Sequence, residues 1–333
     1  MRSQTFTRVI AMTIFFAQAI SAPLAAQEHE AKPQHREHRY KFVDLGTFGG
    51  PASFINPAGN GGPYISKRGT TVGTAATVMP SNPASHGFFC SGLDGNLPFV
   101  FHAFVWHEGD VTDLGALPAA ADNCSDALAV NANGEIAGGS ENGVIEPVLG
   151  VSQVRAVLWK DGDIKDLGTF GGNLSQASAI NNRGQVVGFA LNQIPDPFSL
   201  FYRQFPGGPS DGTQTRAFLW ENGTLQDLGT LGGPDAQAVL VSERGEVTGF
   251  SYTSSTPNPV TRLPPADPFL WDEDRGMIDL GTLGGVWGGA GALNNHGQVI
   301  GNSSLAADPG ACYGIGNTAT AIPSSGITEL SLT

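Results

Sequence analysis

The sequence predicts an all-β fold: a five-bladed β-propeller of four-stranded antiparallel blades, closed into a ring by an N-terminal strand. A six-bladed ring and an open repeat array are the alternatives. Three observations predict it. First, the motif Asp-Leu-Gly-Thr-Phe/Leu-Gly-Gly starts at Asp44, Asp166, Asp227 and Asp279, with a worn copy, Asp-Leu-Gly-Ala-Leu-Pro, at Asp113. Successive offsets of 69, 53, 61 and 52 residues mean an array of like supersecondary units. Second, a glycine recurs at one place in every unit, at Gly69, Gly134, Gly184, Gly245 and Gly297. Third, four short strand patterns fit between one motif and the next, which is the arithmetic of a propeller blade.

The elements follow in a fixed order. An apolar run opens each unit, as in Ala177-Ser178-Ala179-Ile180-Asn181. It turns at the recurrent glycine, which supplies the positive φ that a tight hairpin needs. A second strand leaves, such as Gln185-Val186-Val187-Gly188. The third strand ends on tryptophan at Trp106, Trp159, Trp220 and Trp271, and a turn at Gly109, Gly162, Gly223 or Gly276 leads to the fourth. The tryptophans hold one strand position, so they are expected to pack between neighbouring blades. A degenerate copy, Ala321-Ile322-Pro323 and then Gly326-Ile327-Thr328-Glu329-Leu330, ends the chain. Arg39–Leu45 reads as an outermost strand ahead of the first unit, expected to pair with the last blade. No stretch has helical periodicity.

Residues 1–26 read as a secretory signal, with Arg2 and Arg8 before the apolar run Val9–Ile20. Gln27–Arg39 is a charged leader and residues 40–333 form the repeat domain, so a secreted or periplasmic protein is expected. Removing Arg2 and Arg8 with the signal takes the net charge from −13 to −15. No basic patch exists to displace phosphate counterions, which argues against nucleic acid as a partner. No segment after the signal has the roughly 20 apolar residues that membrane insertion needs. Three cysteines allow at most one internal disulfide. Cys90–Cys124 is the expected pair, since both flank the first unit and close a short loop; Cys90–Cys312 is the rival. No spacing calls for a metal or a cofactor, and no residue is assigned as catalytic.

The patterns Phe101-His102-Ala103-Phe104-Val105-Trp106, Asp-Leu-Gly-Thr-Leu-Gly-Gly and Ala-Ile-Asn-Asn-x-Gly-Gln-Val-Val-Gly resemble the HAF-type extracellular repeat over residues 40 to 330. The resemblance implies an exported repeat protein, and it carries over no catalytic residue.

Every long insert falls between the second and third strands, on the face that also receives the crossovers: Thr74–Phe101, Gly139–Val154, Ala190–Thr215, Ser251–Ala266 and Asn302–Thr318. Function on a rigid scaffold resides where loops are elaborated. The recurrent aspartates are read as acceptors for backbone N–H groups of their own crossovers, one per unit and too far apart to share a ligand. The residues that vary are the better candidates. At the start of the innermost strands these are Gly61, Asp126, Gln176, Gln237 and Gly289, and Trp287 sits in the last crossover at a place where no other unit has an aromatic. Asp126, Gln176 and Gln237, with Trp287 as a stacking platform, are the candidate ligand-binding residues of a non-catalytic protein that takes a glycan or a protein. A carbohydrate-active enzyme is the alternative, with Asp126 and a second acid such as Asp235 or a loop carboxylate. A display module without a small ligand is the third reading. The aromatic inserts around Phe88–Phe101 and Asp196–Phe205 are expected to fold back and bury themselves.

Overall fold

The computed structural model describes residues 42–55, 62–81, 99–118, 122–204 and 212–306. The expected signal and leader, Cys90, Cys312, Gly61 and the last hairpin of the fifth unit lie outside them. The chain divides into Met1–Asp44 and Leu45–Thr333. Phe42, Val43 and Asp44, the described residues of the first part, are in no strand, and neither are Leu45, Gly46 and Thr47. The described part of the expected closing strand is therefore not one. A strand forms only against a partner that satisfies its N–H and C=O groups, and the residues it was expected to pair with lie beyond Ala306.

The second part is all-β. The first unit is a four-stranded antiparallel sheet of β1 (Gly49–Phe54), β2 (Thr71–Pro80), β3 (Phe99–His107) and β4 (Asp110–Gly115), paired in chain order. The second unit repeats it with β5 (Ser125–Val130), β6 (Ile136–Ile145), β7 (Ser152–Lys160) and β8 (Asp163–Asp166). The third has β9 (Gly171–Ile180), β10 (Val186–Pro195), β11 (Thr213–Glu221) and β12 (Thr224–Asp227). The fourth has β13 (Ala236–Val241), β14 (Val247–Tyr252), β15 (Ala266–Asp272) and β16 (Gly276–Asp279). Two strands of the fifth follow, β17 (Gly284–Leu293) and β18 (Val299–Leu305), joined to the fourth by one parallel pair, Ala266 with Trp287. No α-helix occurs among the described residues, and none is long and apolar enough to cross a membrane.

The first strands of successive units lie against one another, β5 on β9 and β9 on β13. They come together tightly at Gly62, where a Cβ would stand 2.8 Å from the carbonyl oxygens of both Leu128 and Ser178. The repeated tryptophans do pack between units. Trp159 joins Val72, Ala103 and Leu114 of the preceding unit, Trp220 joins Ala137 and Leu158, and Trp271 joins Val187 and Leu219. Each such ring buries roughly 150–250 Å². At about 25 cal/mol/Å² that is on the order of 4–6 kcal/mol before chain entropy is subtracted. Trp106 is half-buried.

The motif aspartates hold their own crossovers, as the sequence suggested. Asp113, Asp166, Asp227 and Asp279 accept the N–H of Gly115, Gly168, Gly229 and Gly281 at 2.7, 2.8, 2.9 and 2.7 Å. In three units the same carboxylate also meets a base on the third strand: His102–Asp113 at 2.9 Å, Arg155–Asp166 at 3.2 Å and Arg216–Asp227 at 2.9 Å. The fourth unit puts Asp267 there instead. Burial, with the Asp279 carboxylate beside it, pushes Asp267 up to about 6. A group raised in the folded state contributes most at low pH, and its contribution is lost as pH rises through the folded value. Asp267→Arg should therefore stabilise the protein by up to about 1 kcal/mol at pH 7, as exposed pairs do, and by less at pH 4. Urea denaturation at the two pH values checks this; no gain at pH 7 would mean that the pair carries no repulsion.

Candidate functional site

Register, more than spacing, identifies equivalent positions. Asp126 stands opposite Gly139, Gln176 opposite Phe189, Gln237 opposite Phe250 and Gly289 opposite Asn302. In the first unit the equivalent pair is Phe54 with Thr74, so the position belongs to Phe54 and not to Gly61. The reason is local. β1 ends at Phe54, well before the turn at Gly69, so a count made back from that turn lands on Gly61 and not on the residue that pairs with Thr74. Phe54, Gln176, Gln237 and Gly289 each lie ten residues past their motif aspartate, a signal present in the sequence.

The five positions differ in chemistry. Phe54 is half-buried and stacks on Phe101, 6.0 Å between centroids. Asp126 is buried, and its Oδ1 accepts the N–H of Gly139 at 3.0 Å. Burial pushes its carboxyl up to about 8, so it carries a proton at neutral pH. Tyr64 is raised by its own burial and then by Asp126. Gln176 is half-buried and Gln237 is buried, and neither carboxamide is sealed from solvent or hydrogen-bonded to another described residue. Gly289 has no side chain, and Trp287 covers it: a Cβ there would meet Cη2 and Cζ2 of the indole at 3.1 and 3.5 Å. Trp287 lies 6.3 Å from Phe250 and packs against the cluster of Leu200, Tyr252 and Ala266.

The second acid suggested by the sequence is not available to the site. Asp235 is fully buried, and its oxygens accept the N–H groups of Thr215 at 3.0 Å and Leu200 at 2.5 Å. It anchors the insert of the third unit instead of facing a ligand. That insert, Asp196–Gln204, folds back as expected, with Leu200, Phe201 and Tyr202 buried. Phe201 lies 5.6 Å from Phe189, and the Tyr202 hydroxyl donates to Glu146 Oε1 at 3.0 Å. Cys124 is fully buried beside Val100 and Phe101, and its Sγ accepts the N–H of Phe101 at 3.2 Å. The expected pairing with Cys90 reaches outside the described residues.

Elsewhere, a cleft of about 400 Å³ opens between the second and third units on the tight-turn side, lined by Glu135, Lys160, Lys165, Arg183 and Trp220 among others. Its charges are largely matched within it, Lys160 with Glu135 at 2.7 Å and Lys165 over the Trp220 ring at 4.9 Å.

No family model matches the chain. No curated protein matches it. Among solved structures, a gluconolactonase from Xanthomonas campestris aligns over 71% of this chain and 87% of its own, at 13% identity and a TM-score of 0.19. A likeness that slight carries no argument about fold or chemistry.

Proposed function

We propose that this chain is an exported, non-catalytic binding protein of the HAF-repeat kind, built as a five-bladed propeller, that takes a neutral glycan on its insert-bearing face. One observation carries the reading. In adjacent units, at one register position of an otherwise repeating scaffold, Gln176 and Gln237 have carboxamides with no partner among the described residues. Water reaches both carboxamides, so ligand hydroxyls would take the place of water there, and each hydrogen bond gained contributes roughly 0.5–1.5 kcal/mol. Asp126, protonated at neutral pH, adds an uncharged donor, and Trp287 presents its ring end two residues from Gly289. A glycan offers both hydroxyls and a flat apolar face to such a set.

The mature protein, printed against an array of neutral oligosaccharides, tests it. Gln176→Ala and Trp287→Ala should each weaken the strongest saccharide signal about tenfold or more. Unchanged affinity in both would move the site elsewhere. Peptide mapping of the same preparation reads its first residue and its cysteine pairing, for which Cys90–Cys124 is proposed. A carbohydrate-active enzyme stays as the second reading because Asp126 holds its proton at neutral pH, as a general acid must. Release of reducing ends from the bound saccharide, abolished by Asp126→Asn, would replace binding with catalysis.

A further inference from the structure

In the fifth unit the site position, Gly289, carries no side chain, and two neighbours reach into the space this leaves. Cη2 and Cζ2 of the Trp287 indole lie 3.1 and 3.5 Å from the point where a Cβ on Gly289 would stand. Oδ1 of Asn302 lies 3.4 Å from the same point. Gly289 and Asn302 are cross-strand partners on β17 and β18, and such partners share one face of a sheet. The Asn302 carboxamide is therefore brought to the benzo edge of the indole.

The two residues are held in different ways. Trp287 is anchored at its backbone: its N–H donates to Ser304 Oγ at 3.0 Å, and that buried hydroxyl donates to Trp287 O at 3.1 Å. Its ring also lies 6.3 Å from Phe250, the cross-strand partner of Gln237. Asn302 is exposed, and its carboxamide bonds to no other described residue. Its counterparts opposite the site position are Thr74, Gly139, Phe189 and Phe250, none of which carries an amide. The amide is thus peculiar to the unit that also carries the extra indole, and no described part of the scaffold uses it.

We propose that Asn302 is a further ligand-contacting residue, and that with Trp287 it forms a subsite over Gly289 for a pyranose bearing two adjacent hydroxyls. The proposal rests on the glycan reading above and adds to it a residue that chooses among sugars. The indole takes apolar C–H groups of the sugar ring. A carboxamide has an acceptor oxygen and two N–H donors, so it pairs with neighbouring hydroxyls by accepting from one and donating to the other. A sugar lacking either hydroxyl leaves half of the amide to water. A site built to hydrogen-bond a hydroxyl discriminates against the analogue without it.

Calorimetric titration of the mature protein tests it, using the neutral oligosaccharide with the strongest array signal and its monodeoxy analogues. Asn302→Leu, of similar size, should weaken the parent saccharide about tenfold, on the order of what two hydrogen bonds contribute. At least one monodeoxy analogue should bind the unaltered protein less well, yet bind Asn302→Leu no worse than the parent saccharide does. Asn302→Ala, which cannot crowd Trp287, should show the same pattern. Unchanged affinity in both Asn302 variants, with loss in Trp287→Ala, overturns the subsite and leaves the glycan reading standing. Deoxy penalties that persist undiminished in the variants place those hydroxyls elsewhere and overturn it too. No saccharide bound by the unaltered protein overturns both.

Discussion

Gly188→Ala is expected to cost at least about 3 kcal/mol, the scale of a severe backbone clash, and to prevent folding of the third unit in the worst case. The second-strand glycine recurs as Gly138, Gly188, Gly249 and Gly301, and the reason is proximity. A Cβ on Gly188 would stand 2.0 Å from the carbonyl oxygen of Gln176, and the corresponding distances are 2.0 Å at Gly138, 1.9 Å at Gly249 and 2.2 Å at Gly301. The obstacle is backbone held in a ladder, so it cannot swing aside as a side chain would. Gly184→Ala makes the internal control. There φ is 77° and the nearest atom to a new Cβ is the end of the Glu135 side chain at 3.5 Å. Its cost should be the left-handed penalty alone, about 1–2 kcal/mol. Chemical denaturation of both variants checks the order; equal losses would mean that the close approach relaxes freely.

Glu146→Ala is expected to cost about 3 kcal/mol and to loosen the contact between the second and third units. Its carboxylate is fully buried and accepts from four donors. Two are local, Val148 N–H at 2.8 Å and Leu149 N–H at 2.6 Å. Two belong to the next unit, Asn173 Nδ2 at 3.3 Å and the Tyr202 hydroxyl at 3.0 Å. Removing the acceptor leaves several donors unpaired, each costing about 1–3 kcal/mol where water cannot replace it. Glu146→Gln, which keeps one acceptor oxygen, should lose less. A double-mutant cycle with Tyr202→Phe isolates the contact across units, and zero coupling would reduce Glu146 to a local loop brace.

Much of this fold was legible because its signals are local. A turn glycine, a tryptophan closing the third strand and an aspartate two residues before the N–H it accepts are all short-range, and repetition in the chain separates them from chance. Asp113, Asp166, Asp227 and Asp279 illustrate it, each bonded as its spacing implied. What escaped depends on contacts made across the sequence. Asp235 resembles a second acid for Asp126 until Leu200 and Thr215 are seen to occupy its oxygens. Gly61 took the place of Phe54 because the count was made from the turn at Gly69, while the residue that pairs with Thr74 ends the strand before it. The candidate site was legible as a set of varying positions. Its unpartnered carboxamides and the cover that Trp287 lays over Gly289 were not.

From the second unit to the fifth, the turns between first and second strands are stitched together, and among the described residues these stitches point the same way. Asn131 Nδ2 donates to Asn181 O at 3.0 Å, and Asn181 Nδ2 donates to Ser242 O at 2.8 Å. Ala132 N–H donates to Asn182 Oδ1, Asn182 N–H to Glu243 Oε2 and Glu243 N–H to Asn295 Oδ1, at 2.7, 3.0 and 2.9 Å. The bonding is head-to-tail, so the contact is heterologous, as in a polymer of unlike ends. Such a contact is indifferent to how many members join: a sixth unit, or a fourth as the last, could be stitched in by the same atoms. The number of units is then left to the packing between sheets, and duplication or loss of a whole unit meets no chemical barrier at this seam. It also means that one end of any unclosed array presents donors and the other acceptors, so two truncated copies would be complementary to each other.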